Sequence, residues 1–102
     1  MNICVRNFVA VVLLSGVSFV AYAGAEQGQV VAKGCVSCHG AQGQGMGKTP
    51  ALAGQKADFI VEQLKAYQSG KRNNIMMNTV ARKLSEQDVA DVAAFFASLP
   101  AK

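Results

Sequence analysis

Apolar positions recur at helical spacing in three stretches of the chain, and no run alternates with the two-residue period of a strand. The clearest stretch follows Ser85. Val89, Val92, Ala93 and Phe96 fall at i, i+3, i+4 and i+7, one stripe along a helix. Ser85 is placed to cap its start, Asp88 stands where an acidic side chain favours the first turn, and Pro100 closes the segment. A second stripe, Ala57, Ile60, Leu64 and Tyr67 at i, i+3, i+7 and i+10, predicts a helix over residues 56–69 that Gly70 ends. A third, shorter helix is expected over residues 25–33, ending at Gly34. A weaker helical turn is expected after Asn78, through Val80 and Ala81, while residues 71–78 read as a polar loop. No internal repeat is visible. The pattern predicts an all-α fold in a single domain.

The start of the chain has a different pattern. Arg6 supplies a positive charge, Phe8 to Val20 is almost wholly apolar, and Ala21-Tyr22-Ala23 forms a small-x-small site. This is the layout of a secretory signal peptide over residues 1–23, cleaved after Ala23. The apolar run is shorter than the ~20 residues that a spanning helix needs, so no membrane span is expected after cleavage. Cys4 precedes the apolar run and reads as a passenger in the leader.

Cleavage leaves 79 of the 102 residues, 24–102, as the domain. A chain of that length rarely fills a self-sufficient core and usually carries a staple. Its two cysteines, Cys35 and Cys38, are too close in sequence to close a long disulfide loop. Nine basic residues against six acidic ones give it a net charge of +3. There is no dense basic run, so no nucleic-acid partner is expected.

Between the first two helical stretches lies a Gly-rich segment, residues 40–54, with Gly43, Gly45 and Gly47 alternating. A phosphate loop would follow a strand and open a helix. This one follows a cysteine-histidine motif and runs into Thr49-Pro50, so it reads as an irregular loop wrapping something flat and close. Three small helices with few large aliphatic residues leave room for a bulky apolar cofactor in the core.

Cys35-Val36-Ser37-Cys38-His39 is a C-x-x-C-H motif, the attachment signature of c-type haem. Two thiols at that spacing reach the two vinyl groups of the haem edge. The histidine directly after the second cysteine then offers an imidazole nitrogen to the iron. His39 is the only histidine in the chain. A closed zinc site wants four ligands, more than residues 24–102 provide in Cys and His. A thioredoxin-like pair would sit near a βαβ pattern, which is absent. The secretory leader agrees with haem attachment after export, hence with a bacterial periplasmic location. A Met thioether could fill the second axial position and raise the reduction potential. Met46, Met76 and Met77 are all available, and pattern alone does not choose among them.

The chain resembles the small class I cytochromes c of bacterial periplasms. The likeness is to a single half of the dihaem cytochromes of the c-four type and, more loosely, to the monohaem c-five type. The matching segments are C-V-S-C-H-G at 35–40, P-A-L-A-G-Q at 50–55, S-G-K-R at 69–72, a Met at 77 and L-S-E-Q-D-V-A-D-V-A-A-F-F-A-S-L at 84–99. The resemblance implies one covalently attached haem c, held by Cys35 and Cys38, with His39 and Met77 as iron ligands and Met76 as the fallback. It implies that the Pro50 carbonyl accepts a hydrogen bond from His39 and orients the ring. It also implies that the first helix crosses the last, with Gly28 as the point of close approach facing the Phe95-Phe96 end. Phe95 stands where the family often has Tyr, so that hydroxyl's hydrogen bond is missing here.

The function implied is one-electron carriage between redox partner proteins, with no catalytic residue and no enzyme activity of the chain's own. Lys33, Lys48, Lys71 and Arg72 are candidate rim charges for weak, salt-sensitive docking. Two other readings stay open: a haem subunit of a periplasmic oxidoreductase complex, and an open-iron haem enzyme or gas sensor. Neither donor, acceptor nor oligomeric state is assigned by the residues.

Overall fold

Five helices follow one another in the computed structural model, which describes residues 19–101, with side chains from Gly24 onward. They are α1 (Phe19–Val31), α2 (Val36–His39), α3 (Ala57–Ser69), α4 (Ile75–Arg82) and α5 (Glu86–Ser98), with a 3-10 turn at Ala32–Gly34. Among the described residues there is no strand, only a lone antiparallel bridge between Met46 and Thr49. Residues 1–18 of the expected leader lie outside the described residues.

The two strong stripes form as their spacing predicts. Ser85 caps α5 in a reciprocal box: its hydroxyl accepts from the Asp88 amide, and the Asp88 carboxylate accepts from the Ser85 amide, each at 3.0 Å. A cap of this kind contributes about 1 kcal/mol. Val89, Val92, Ala93 and Phe96 of α5 are all buried. So are Ile60 and Leu64 of α3, with Ala57 and Tyr67 half-buried beside them. Ala32 and Ala81 complete this cluster, which lies where α1, α3, α4 and α5 converge. α1 packs most extensively on α5.

Three expectations about the elements need correction. α1 is already helical at Phe19, the first described residue, ahead of the start expected at residue 25, and it runs across the predicted cleavage position as one helix. The helical turn expected after Asn78 is present, but it belongs to an eight-residue helix, α4, which begins at Ile75 and so replaces the second half of the polar loop expected over residues 71–78, Met76 and Met77 included. The Asn74 side chain starts it by accepting from the Met77 amide at 3.0 Å, and Met77, Val80, Ala81 and Leu84 supply a short stripe toward the core. The third is α2, a single helical turn over the C-x-x-C-H motif, beyond the three helices that the spacing predicts.

Candidate functional site

The C-x-x-C-H motif folds as one helical turn. Cys35 precedes α2, and its carbonyl accepts from the amides of Cys38 at 3.1 Å and His39 at 2.9 Å. That turn brings residues 35, 38 and 39 onto a common short element. Cys35 is half-buried against the core cluster, Cys38 is exposed, and both are free thiols. Burial pushes the Cys35 thiol up, with Cys38 beside it adding to the effect.

His39 is buried, 6% exposed, and its Nδ1 lies 2.8 Å from the Pro50 carbonyl oxygen. A carbonyl can only accept, so Nδ1 carries the proton and donates. The tautomer that follows leaves Nε2 with its lone pair available for a metal. The contact spans eleven residues, and the Gly-rich loop makes it. The Gly45 amide donates to the His39 carbonyl at 2.7 Å, which turns the chain back over the motif. Gly45 does so at φ +85°, and a Cβ there would meet the Thr49 carbonyl oxygen at 2.9 Å. No residue with a side chain fits that corner without strain. The Leu52 and Ala53 amides then donate to Gly43, and the Gly54 amide donates to Phe96 of α5, so the loop is tied to the core at its far end.

The three methionines separate by environment. Met46 is 54% exposed and Met76 67% exposed, whereas Met77 is half-buried against the core cluster. Leu52, Val61, Tyr67 and Leu84 border that same cluster in half-buried positions. The residues therefore fit a covalently bound haem. There are two free thiols on one turn, an imidazole whose second nitrogen is unengaged, a soft thioether at the edge of the core and a rim of apolar side chains. No group of three or more His, Cys, Asp or Glu side chains suited to a bare metal ion occurs among the described residues.

The cytochrome c family model matches residues 25–100. The chain belongs to the cytochrome c family. Its cofactor is accordingly haem c, covalently attached. Cytochrome c-552 of Acidithiobacillus ferridurans is 36% identical over 91 residues, a match covering 80% of this chain and 40% of that protein. The thiosulfate dehydrogenase electron acceptor of Stutzerimonas stutzeri is 42% identical over 72 residues, covering 67% of this chain and 33% of the relative. Among solved structures, cytochrome c4 of Acidithiobacillus ferrooxidans superposes with a TM-score of 0.71 at 37% identity, over 76% of this chain and 50% of that one. The chain thus spans a third to a half of the length of these relatives. The likeness to one half of the dihaem cytochrome c4 is the one that the motifs imply, and the all-α cytochrome c fold is the one observed.

The rim charges are not equivalent. Lys33, Lys48 and Lys71 are exposed. Arg72 folds back on the molecule, with its guanidinium 4.6 Å from the Tyr67 ring centroid and Nη1 donating to Gln63 Oε1 at 2.6 Å. That engagement leaves the three lysines as the less committed cations of the set. Three residues that hold α4 in place, Gln68, Asn74 and Asn78, escaped the sequence reading. Asn at the start of a short apolar stripe was the available signal for Asn74. Gln68 and Asn78 bond to backbone atoms elsewhere in the chain, which leave no mark in the sequence.

Proposed function

We propose that residues 24–102 act as a periplasmic one-electron carrier whose iron is held by His39 on one side and Met77 on the other, after removal of residues 1–23 as a signal peptide. Support comes foremost from His39, whose Nδ1 contact with Pro50 leaves the opposite nitrogen available for coordination. The half-burial of Met77, against the exposure of Met46 and Met76, supports its choice as the second ligand. Among the described residues no helix is long and apolar enough to cross a membrane.

Bound between these residues, haem c supplies an iron that changes oxidation state by one electron. Every other requirement falls on the chain. Cys35 and Cys38 tether the group, and Pro50 holds the His39 ring. α4 presents the Met77 sulfur, a soft neutral donor that favours the reduced state. Keeping both ligands in place limits structural change on electron transfer. Exposed lysines around the site serve brief encounters with acidic partner surfaces.

Met77→Ala tests the ligand assignment. The oxidised wild-type protein should show the weak red absorption band of Met sulfur on ferric haem, and the variant should lose it. Absence of the band in the wild type would remove the Met-ligated reading and move an open-iron enzyme or sensor forward. Survival of the band in the variant would transfer the role to Met76 or Met46.

The likeness to the Stutzerimonas protein supports a thiosulfate-oxidising dehydrogenase as the electron donor. Mixed with such an enzyme and thiosulfate, the ferric protein should be reduced in stopped-flow absorbance, at a rate that falls as salt rises. Reduction no faster than in the enzyme-free control would exclude this donor. Co-elution of the two proteins at high salt would favour a subunit of a complex over a free shuttle.

A further inference from the structure

α4 is a short helix, and its packing is supplemented by side-chain amides at both ends. At the end nearer Met77, Asn78 directs three side-chain hydrogen bonds to backbone. Its Nδ2 donates to the Tyr67 carbonyl and to the Arg72 carbonyl, both at 2.8 Å. Its Oδ1 accepts from the Asn74 amide at 2.9 Å. Asn74 in turn accepts from the Met77 amide. One side chain thus joins the last turn of α3, the loop after it, and the cap of the turn that carries Met77. At the opposite end, Gln68 of α3 donates to the carbonyls of Ala81 at 2.9 Å and Leu84 at 3.2 Å, and Arg82 donates back to the Gln68 carbonyl at 3.3 Å.

We propose that Asn78 is a positioning residue for Met77: by tying the cap of α4 to Tyr67 and Arg72 it holds the thioether where it can stay on the iron, while Gln68 secures the far end of the same helix without that role. The proposal rests on Met77 as a ligand. As a ligand Met77 would be held by its own turn alone, so the persistence of its bond would depend on how rigidly that turn is held. Asn78 fixes that turn from the residue next to it. Without it, the Arg72 carbonyl loses its Asn78 donor, the Tyr67 carbonyl keeps only the longer bond from the Gly70 amide at 3.4 Å, and the Asn74 cap loses its anchor, so the turn can swing outward with the rest of the core intact. Gln68 acts on Ala81 and Leu84, one turn or more beyond Met77, so its loss loosens those residues first.

The test is imidazole binding to the purified ferric holoprotein, read by loss of the red band, beside urea unfolding of the same samples. Imidazole must displace the Met sulfur, so its apparent affinity reports how firmly the sulfur is held. Asn78→Ala should bind imidazole about tenfold more tightly than wild type, the factor expected from losing ties of ordinary net strength. Gln68→Ala should lower the urea midpoint as far as Asn78→Ala does and leave imidazole affinity within about threefold of wild type. Asn78→Ser, which retains a donor, should fall between Asn78→Ala and wild type, and it carries the test if the alanine variant does not accumulate. Unchanged imidazole affinity in the Asn78 variants would overturn the proposal. So would an equal rise in Gln68→Ala, which would reduce Asn78 to a general support of the fold. A red band that persists in Met77→Ala would overturn the ligand assignment itself, a failure visible in that variant alone.

Discussion

The double variant Cys35→Ala/Cys38→Ala should accumulate little folded protein and carry no haem through denaturation in acid. Nine hydrophobic residues are buried among the described ones, and four of them are alanines: Ala32, Ala53, Ala81 and Ala93. Ile60, Leu64, Val89, Val92 and Phe96 supply nearly all the large buried surface. A single core in a chain of this size contributes no more than about 3–5 kcal/mol. The covalent haem must supply much of the remaining apolar contact, and the two thioethers keep it local. Without them, retention would rest on the proposed ligands His39 and Met77. The measurement is far-UV circular dichroism with urea unfolding, beside a pyridine haemochrome assay of the acid-treated protein. A double variant as helical and as urea-resistant as wild type would show that the core stands without the attached group. The single variant Cys38→Ala is milder, because Cys38 is exposed and Cys35 lies against the core. It should keep one thioether, with its haemochrome band moved to longer wavelength because one vinyl group stays conjugated.

Gly28→Ala should be the most damaging single-methyl change in the molecule. A Cβ on Gly28 would meet the Asp91 carbonyl carbon at 2.6 Å and the Phe95 Cβ at 2.8 Å, with the Asp91 carbonyl oxygen closer still. The obstacle is mainly the backbone of α5, so no rotamer change relieves it. The two helices would have to separate along their largest contact, and Val89, Val92 and Phe96 would lose packing with them. Replacing Gly by Ala inside a helix ordinarily gains up to about 1 kcal/mol. Overpacking a tight interface costs about 1–3 kcal/mol and sometimes more. The clash exceeds the propensity gain here because it involves three heavy atoms, two of them in the main chain. A net loss of about 2 kcal/mol should lower Tm by roughly 10 °C in a domain of this size. Gly34→Ala is the control, since no atom lies within 4 Å of a Cβ there. It should change stability by no more than about 0.5 kcal/mol. Equal melting temperatures for the two variants and the wild type would show that α1 and α5 are not locked together at Gly28.

The candidate site divides in the same way between local and distant causes. Cys35, Cys38 and His39 are legible because their chemistry lies in five consecutive residues, and α2 is the turn that such spacing takes when it folds. Met77 is legible through the family resemblance and not through pattern, since three methionines compete on the page of the sequence. Their sorting into one half-buried and two exposed side chains is a property of the packed molecule.

The amino-acid sequence by itself determined the attachment motif, the stripes of α3 and α5, the reciprocal cap at Ser85 and Asp88, and the helix end at Gly70. Each of these depends on residues within a turn or two of one another, where periodicity and side-chain type carry the information. Of the short elements, α2 escaped it and α4 was legible only in its second half. α2 is one turn and has no period, and α4 has a stripe of few residues beginning among polar ones. Only the tertiary structure decided that Arg72 turns back onto Tyr67, that Gly28 seats against Asp91, and that Asn78 and Gln68 hold the two ends of α4. The physical reason is common to the last three. Their partners are main-chain atoms brought near by folding, every residue carries such atoms, and the composition of a sequence cannot say which of them will be within reach.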